Sequence, residues 1–213
     1  MLEELTMGNM PTRWARTLLA GLGATVLVPI LTLATATTPA RAATVPCTSR
    51  TTTTPFTAWN DGNSYFTEPG GTFESGTSGW TLKNARVVSG NEPWKVLSAG
   101  NAYSLQLAAA GSAAGPSMCI ATAEDAMRVF YKAPSSTTSG LLVTIHVTSG
   151  VNVADNTYSI GGGANGWRLS DRIMLPDIRD ASGQQTVTIS FTQVGTGATW
   201  QIDDVEIDPW RSL

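Results

Sequence analysis

One histidine, two cysteines and a charged fraction of only 14% leave this 213-residue chain little of the chemistry that side chains supply. A single imidazole, His146, with two thiols makes a poor zinc site. No Gly-x-Ser-x-Gly elbow accompanies His146, so a Ser-His-Asp hydrolase lacks its nucleophile. Thirteen basic against 16 acidic residues give a net charge of −3 with no basic run, and that speaks against a nucleic-acid partner. Gly161-Gly162-Gly163 is not set between a strand and a helix, so it is not a phosphate loop. After residue 42 no stretch holds a 3.6-residue period, and only Ala121–Ala126 offers one short turn.

What is present begins with an export pattern. Arg13 and Arg16 precede an apolar run from Leu18 to Ala34, and Ala40-Arg41-Ala42 has the small-x-small form of a cleavage site. Glu3 and Glu4 are unusual ahead of such a run, so the start lies at Met1, Met7 or Met10. The absence of paired arginines points to the general secretory route, and Cys47 stands too far on for lipid attachment. Residues 1–42 are read as a helical signal peptide, with an uncleaved membrane anchor as the rival. Residues 43–213 are then one secreted domain, with no membrane association after cleavage and an N-terminal arm at 43–60. Both cysteines fall in the exported part, where an even count predicts a Cys47–Cys119 disulfide. Its Cα atoms should lie within about 4.4–6.8 Å.

Alternation of apolar and polar residues marks half-buried strands. Leu141, Val143, Ile145 and Val147 alternate with Leu142, Thr144, His146 and Thr148. Val187, Ile189 and Phe191 alternate with threonine and serine, and Tyr103, Leu105 and Leu107 with Ser104 and Gln106. Met127–Lys132 reads as a further strand, and shorter ones are expected at 64–66, 72–74, 80–82, 85–88 and 94–97. In Trp200–Ile207 the phase flips at Asp203-Asp204, so a bulge is expected between two carboxylates that repel each other. Many short strands with Gly and Pro turns make an all-β sandwich. His146, on the polar parity of its strand, reads as a solvated residue.

Phe73-Glu74 before a loop ending in Gly79-Trp80, together with Ile202-Asp203-Asp204-Val205, resembles the first and last strands of galactose-binding-like jelly rolls among carbohydrate-binding modules. Other strings resemble a family of secreted bacterial proteins of unassigned function: Ser89-Gly90-Asn91-Glu92-Pro93, Ser117-Met118-Cys119, Met127-Arg128-Val129-Phe130, Gly166-Trp167-Arg168-Leu169-Ser170 and Asp208-Pro209-Trp210. The first resemblance implies an antiparallel jelly-roll sandwich. It also implies a structural Ca²⁺ held by Glu74 and one aspartate, Asp204, with carbonyls and water completing the shell. The competing role for these acids is to accept backbone N–H bonds. The chain departs from sugar-binding modules in showing no recognisable set of ligand-contacting aromatics.

The expected function is non-catalytic binding of an extracellular glycan or cell-surface component. The alternatives are a structural or surface-interaction protein on the same scaffold, and a small hydrolase using a carboxylate pair from Glu74, Glu92, Asp203 and Asp204. Sugar rings stack on exposed aromatic faces, and Trp94, Tyr158 and Trp167 are the candidates, whereas Trp80 and Trp200 belong to strand motifs and are expected in the core.

Overall fold

The structure, a computed structural model, describes Cys47 and residues 50–208. The expected signal segment and Trp210 lie outside the described residues. A 3-10 turn, Thr57–Trp59, is followed by β1 (Phe66–Thr67), β2 (Thr81–Ser89), β3 (Tyr103–Ala114), β4 (Met118–Ile120), β5 (Ala126–Ala133) and β6 (Ser139–Ser149). Then come β7 (Asn152–Gly161), β8 (Gly166–Leu169), β9 (Ile173–Met174), β10 (Gln185–Gly195) and β11 (Trp200–Asp208). All pairings are antiparallel, along the path β7-β6-β10-β3-β11-β5-β8, with β2 beside β3.

Strand β3 changes partner midway, and that makes two layers from one sheet. Its residues Leu105–Leu107 pair with β11, while Ser112–Ala114 pair with β10. At the changeover the β2–β3 register shifts between Lys83 and Ala85, with Asn84 and Ala110 at φ of 47° and 53°. Gly111 permits this approach, because a Cβ there would stand 2.7 Å from the carbonyl oxygens of Ala108 and Asn84.

The two halves close on one core. Leu141, Val143, Ile145 and Val147 of β6 and Val187, Ile189 and Phe191 of β10 meet Leu105, Leu107, Met127, Val129, Trp200 and Ile202 of the other layer. Each fully buried side chain of this kind stabilises the fold by roughly 1.5–3 kcal/mol. Trp80 and Trp200 are both in this core, and Trp200 Nε1 donates to Ser139 Oγ at 2.8 Å.

The arm is ordered by a second, aromatic cluster. Phe56, Tyr65 and Phe130 are buried together, with Trp59, Trp167 and Leu169 against them. Phe130 lies on the parity of β5 opposite Val129, so this cluster covers part of the layer's outer face. Farther along the arm, Thr53 bridges Tyr65, Arg50 pairs with Glu124, and the Cys47–Cys119 disulfide brings the two Cα atoms to 5.0 Å. A bridge closing a loop of that size stabilises the fold by about 4 kcal/mol in the chain-entropy model.

Two expected strands are loops. Phe73-Glu74 lies in a turn, with Phe73 at φ 56° and its buried ring 5.0 Å from Trp80. Residues 94–97 are also irregular, because Glu92 turns its carboxylate back onto the amides of Trp94 and Val96. In both places aromatic packing and a carboxylate hold the backbone that a ladder was expected to hold.

Candidate functional site

The β11 bulge falls where the alternation broke: the β5 register shifts between Asp203 and Glu206, and Asp204 has φ 45°. The extra residue turns consecutive carboxylates away from a regular ladder, and Asp203, Asp204 and Glu206 are all fully buried. Asp203 accepts N–H bonds from Glu92 at 3.3 Å and Asp204 at 2.9 Å. Asp204 has no hydrogen-bond partner on either carboxylate oxygen.

Burial raises the pKa of Asp203, and the charge of Asp204 adds to it. Burial likewise raises Asp204, followed by the charges of Glu92 and Glu74. Glu206 is pushed up to about 8 by burial, reinforced by the charge of Asp204. The bulge therefore concentrates acid with little to neutralise it.

Glu74 and Asp204 are thus electrostatic neighbours, and they differ in how their oxygens are used. Glu74 Oε1 accepts the amides of Ala102 at 2.8 Å and Tyr103 at 2.9 Å, the role foreseen for an acid without a metal. Asp204 does nothing of the kind. A buried anion with no donor costs several kcal/mol unless it is neutralised, so its oxygens fit a hard cation. Among the described residues no three acid, histidine or cysteine side chains are grouped to hold a metal. Backbone carbonyls would therefore complete any shell, as calcium tolerates.

A second arrangement lies on the outer face of the same layer. Directly paired residues share a face, and the registers Arg86↔Gln106, Gln106↔Gln201, Gln201↔Lys132 and Lys132↔Trp167 run across five strands, β2-β3-β11-β5-β8. Their immediate chain neighbours Leu105, Leu107, Trp200 and Ile202 face the core, so this row faces outward. Four inter-strand steps make it about 19 Å long. A hollow of about 270 Å³ at one end includes Arg86 and Gln106. A cleft of about 480 Å³ at the other is lined by Trp59, Trp94, Trp167, Tyr131 and Arg168.

Trp94 is 48% exposed and stacks on Phe130, with ring centroids 5.4 Å apart and planes at 25°, while Trp59 meets it edge-on at 5.1 Å. Trp167 lies on β8 and is half-buried. Trp94 and Trp167 are therefore brought together. Tyr158 is not: it lies on β7, its ring packs against the main core, and its hydroxyl donates to the Met174 carbonyl at 3.0 Å. His146, on β6, pairs with Asp155 at 2.6 Å, and both are exposed.

Sequence reasoning missed the anchoring role of Glu92 and the row itself. Glu92 reads as an ordinary Gly-Asn-Glu-Pro turn, yet it is fully buried, bonds the 94–96 amides and anchors the Trp94 loop to Asp203. The only local signal was an acid placed just before a tryptophan. Asn91, its neighbour in the chain, has both amide atoms buried without a partner.

No protein-family model and no curated protein matches the chain. Among solved structures it is similar to a family 61 carbohydrate-binding module in complex with β-1,4-galactotriose, at 20% identity over 65% of this chain and 94% of that one, with a TM-score of 0.42. It is similar to a family 11 carbohydrate-binding module from Clostridium thermocellum in complex with a β-1,3-1,4-mixed-linked tetrasaccharide, at 14% identity over 67% and 95%, TM-score 0.39. A third is a C-terminal family 22 carbohydrate-binding module from Clostridium thermocellum, at 15% identity over 64% and 90%, TM-score 0.39. The chain's structural neighbours thus include carbohydrate-binding modules, and the likeness is one of fold.

Proposed function

We propose that the protein is an exported, non-catalytic carbohydrate-binding domain that lays a glycan across the Arg86–Gln106–Gln201–Lys132–Trp167 row. The row itself carries this reading. It offers amide and cationic donors at regular spacing on one open sheet face, and an aromatic wall of Trp94 and Trp167 at one end. Sugars present hydroxyls around the ring and C–H patches on its faces, so they need that combination of directional polar contacts and flat apolar surface. A structural Ca²⁺ at Asp204, with Glu74 beside it, would neutralise the acids behind the row and hold the bulge that sets β11 in place.

Retention on immobilised polysaccharides tests the reading. Trp167→Ala and the double variant Gln106→Ala/Gln201→Ala should each lose retention while the melting midpoint of the double variant stays near wild type. Retention unchanged in all of them would move binding off this face.

A further inference from the structure

Resting on the carbohydrate reading, we infer that the ligand is an acidic polysaccharide whose uronate carboxylates meet Arg86 and Lys132. Four of the nine lysines and arginines among the described residues have acid partners: Arg50 with Glu124, Arg128 with Asp61, Arg172 with Asp208, and Arg179 with Asp177. Arg86 and Lys132 form no ion pair among the described residues, and both are exposed. They stand on the same row, with only the amides of Gln106 and Gln201 between them.

A solvated lysine or arginine on a strand's polar face is ordinary. Two of them in register, three strand steps or about 14 Å apart, in a chain of net charge −3, make a localised positive strip against a negative background. Of the acids near the row, Asp171 is exposed in the cleft at the Trp167 end, where Arg168 also lies, and two others are withdrawn from solvent. Glu92 and Asp203 are fully buried and accept backbone N–H bonds. Carboxylates spaced along a glycan would complement the strip. Arg86 can take one bidentately through its planar fork, while Lys132 acts as a point charge. The amides between them suit ring hydroxyls, and Trp167 continues the row with a flat face.

The test uses the full chain and three kinds of polymer in titration calorimetry: polygalacturonate or alginate, highly methyl-esterified polygalacturonate, and neutral galactan or xylan. Methyl esterification removes the charge and keeps the backbone. The expected result is binding to a uronate polymer that weakens as salt rises and falls at least several-fold on esterification. Arg86→Gln and Lys132→Gln should each cost roughly three- to five-fold against the acidic polymer, the range for solvent-exposed charge pairs. Both should leave the melting midpoint unchanged.

Equal affinity for the esterified polymer, or wild-type binding by the double Gln variant, would overturn the inference. Dextran sulfate bound as tightly as any uronate polymer would overturn it too, because the site would then read charge alone. If a neutral polymer binds and no uronate polymer does, only the inference falls. If no polymer of any kind binds, the carbohydrate reading falls with it.

Discussion

Replacing Asp204 by asparagine should stabilise the calcium-free protein at alkaline pH and abolish its response to calcium. Asp204 is fully buried, has no hydrogen-bond donor, and lies within the fields of Glu92 and Glu74. Its folded-state pKa is raised, and so is that of Glu206, from 4.5 to about 8. The contribution of such a group is fully present below its unfolded pKa and is lost as pH rises through the folded value. For Glu206 the window runs from about 4.5 to about 8, and at about 1.4 kcal/mol per pH unit the loss across it is on the order of 5 kcal/mol. That is comparable with the whole stability of a marginal domain.

In chelator, wild type should therefore be distinctly less stable near pH 8 than near pH 5. Calcium should reverse the loss by binding only the folded chain: at a hundred times its Kd it would add about 2.7 kcal/mol. For a domain of this size that raises the melting midpoint by roughly 5–10 °C. Asparagine is the informative substitution because it preserves shape, tolerates the positive φ of 45° and carries no charge. The assay is a melt of wild type and Asp204→Asn, with calcium and with chelator, at both pH values. A wild type no less stable at the higher pH in chelator would refute the electrostatic reasoning. A variant that responds to calcium as wild type does would remove Asp204 from the site.

The disulfide, a buried glycine and the core tryptophan set further expected outcomes. Native protein should show no reactive thiol, and Cys47→Ser/Cys119→Ser should lose about 4 kcal/mol in urea unfolding. Gly115→Ala should cost about 1–3 kcal/mol, because its Cβ would stand 2.0 Å from Glu68 Oε1. The Glu68 carboxylate is fully buried with no hydrogen-bond partner, and burial alone raises its pKa well above the usual carboxylate range. Its stabilising contribution is therefore lost as pH rises, and the advantage of Glu68→Gln over wild type should grow with pH in urea melts. Trp200→Phe, which leaves Ser139 Oγ without the indole N–H, should cost about 2 kcal/mol in the same assay.

The sequence by itself determined the strands that have one face in the core and one in water. On β6 and β10 burial alternates as the residues do, because a pleated strand turns successive side chains to opposite faces. The bulge at Asp203-Asp204 was legible for the same reason, since a phase flip leaves no other way to keep Trp200, Ile202, Val205 and Ile207 all inside. The disulfide needed only the cysteine count and the export pattern.

Tertiary structure alone decided the rest. Phe73 and Trp94 have strand-like neighbours but sit in loops, held by ring packing and by carboxylates bonded to nearby amides, and local propensity does not register either. Tyr158 and Trp167 look alike as aromatics near glycines, yet one packs on the core and the other reaches the cleft. The row from Arg86 to Trp167 exists only through pairings between strands far apart in the chain. Each of its residues is an unremarkable polar or aromatic position on its own strand, and only the register of five strands sets them side by side.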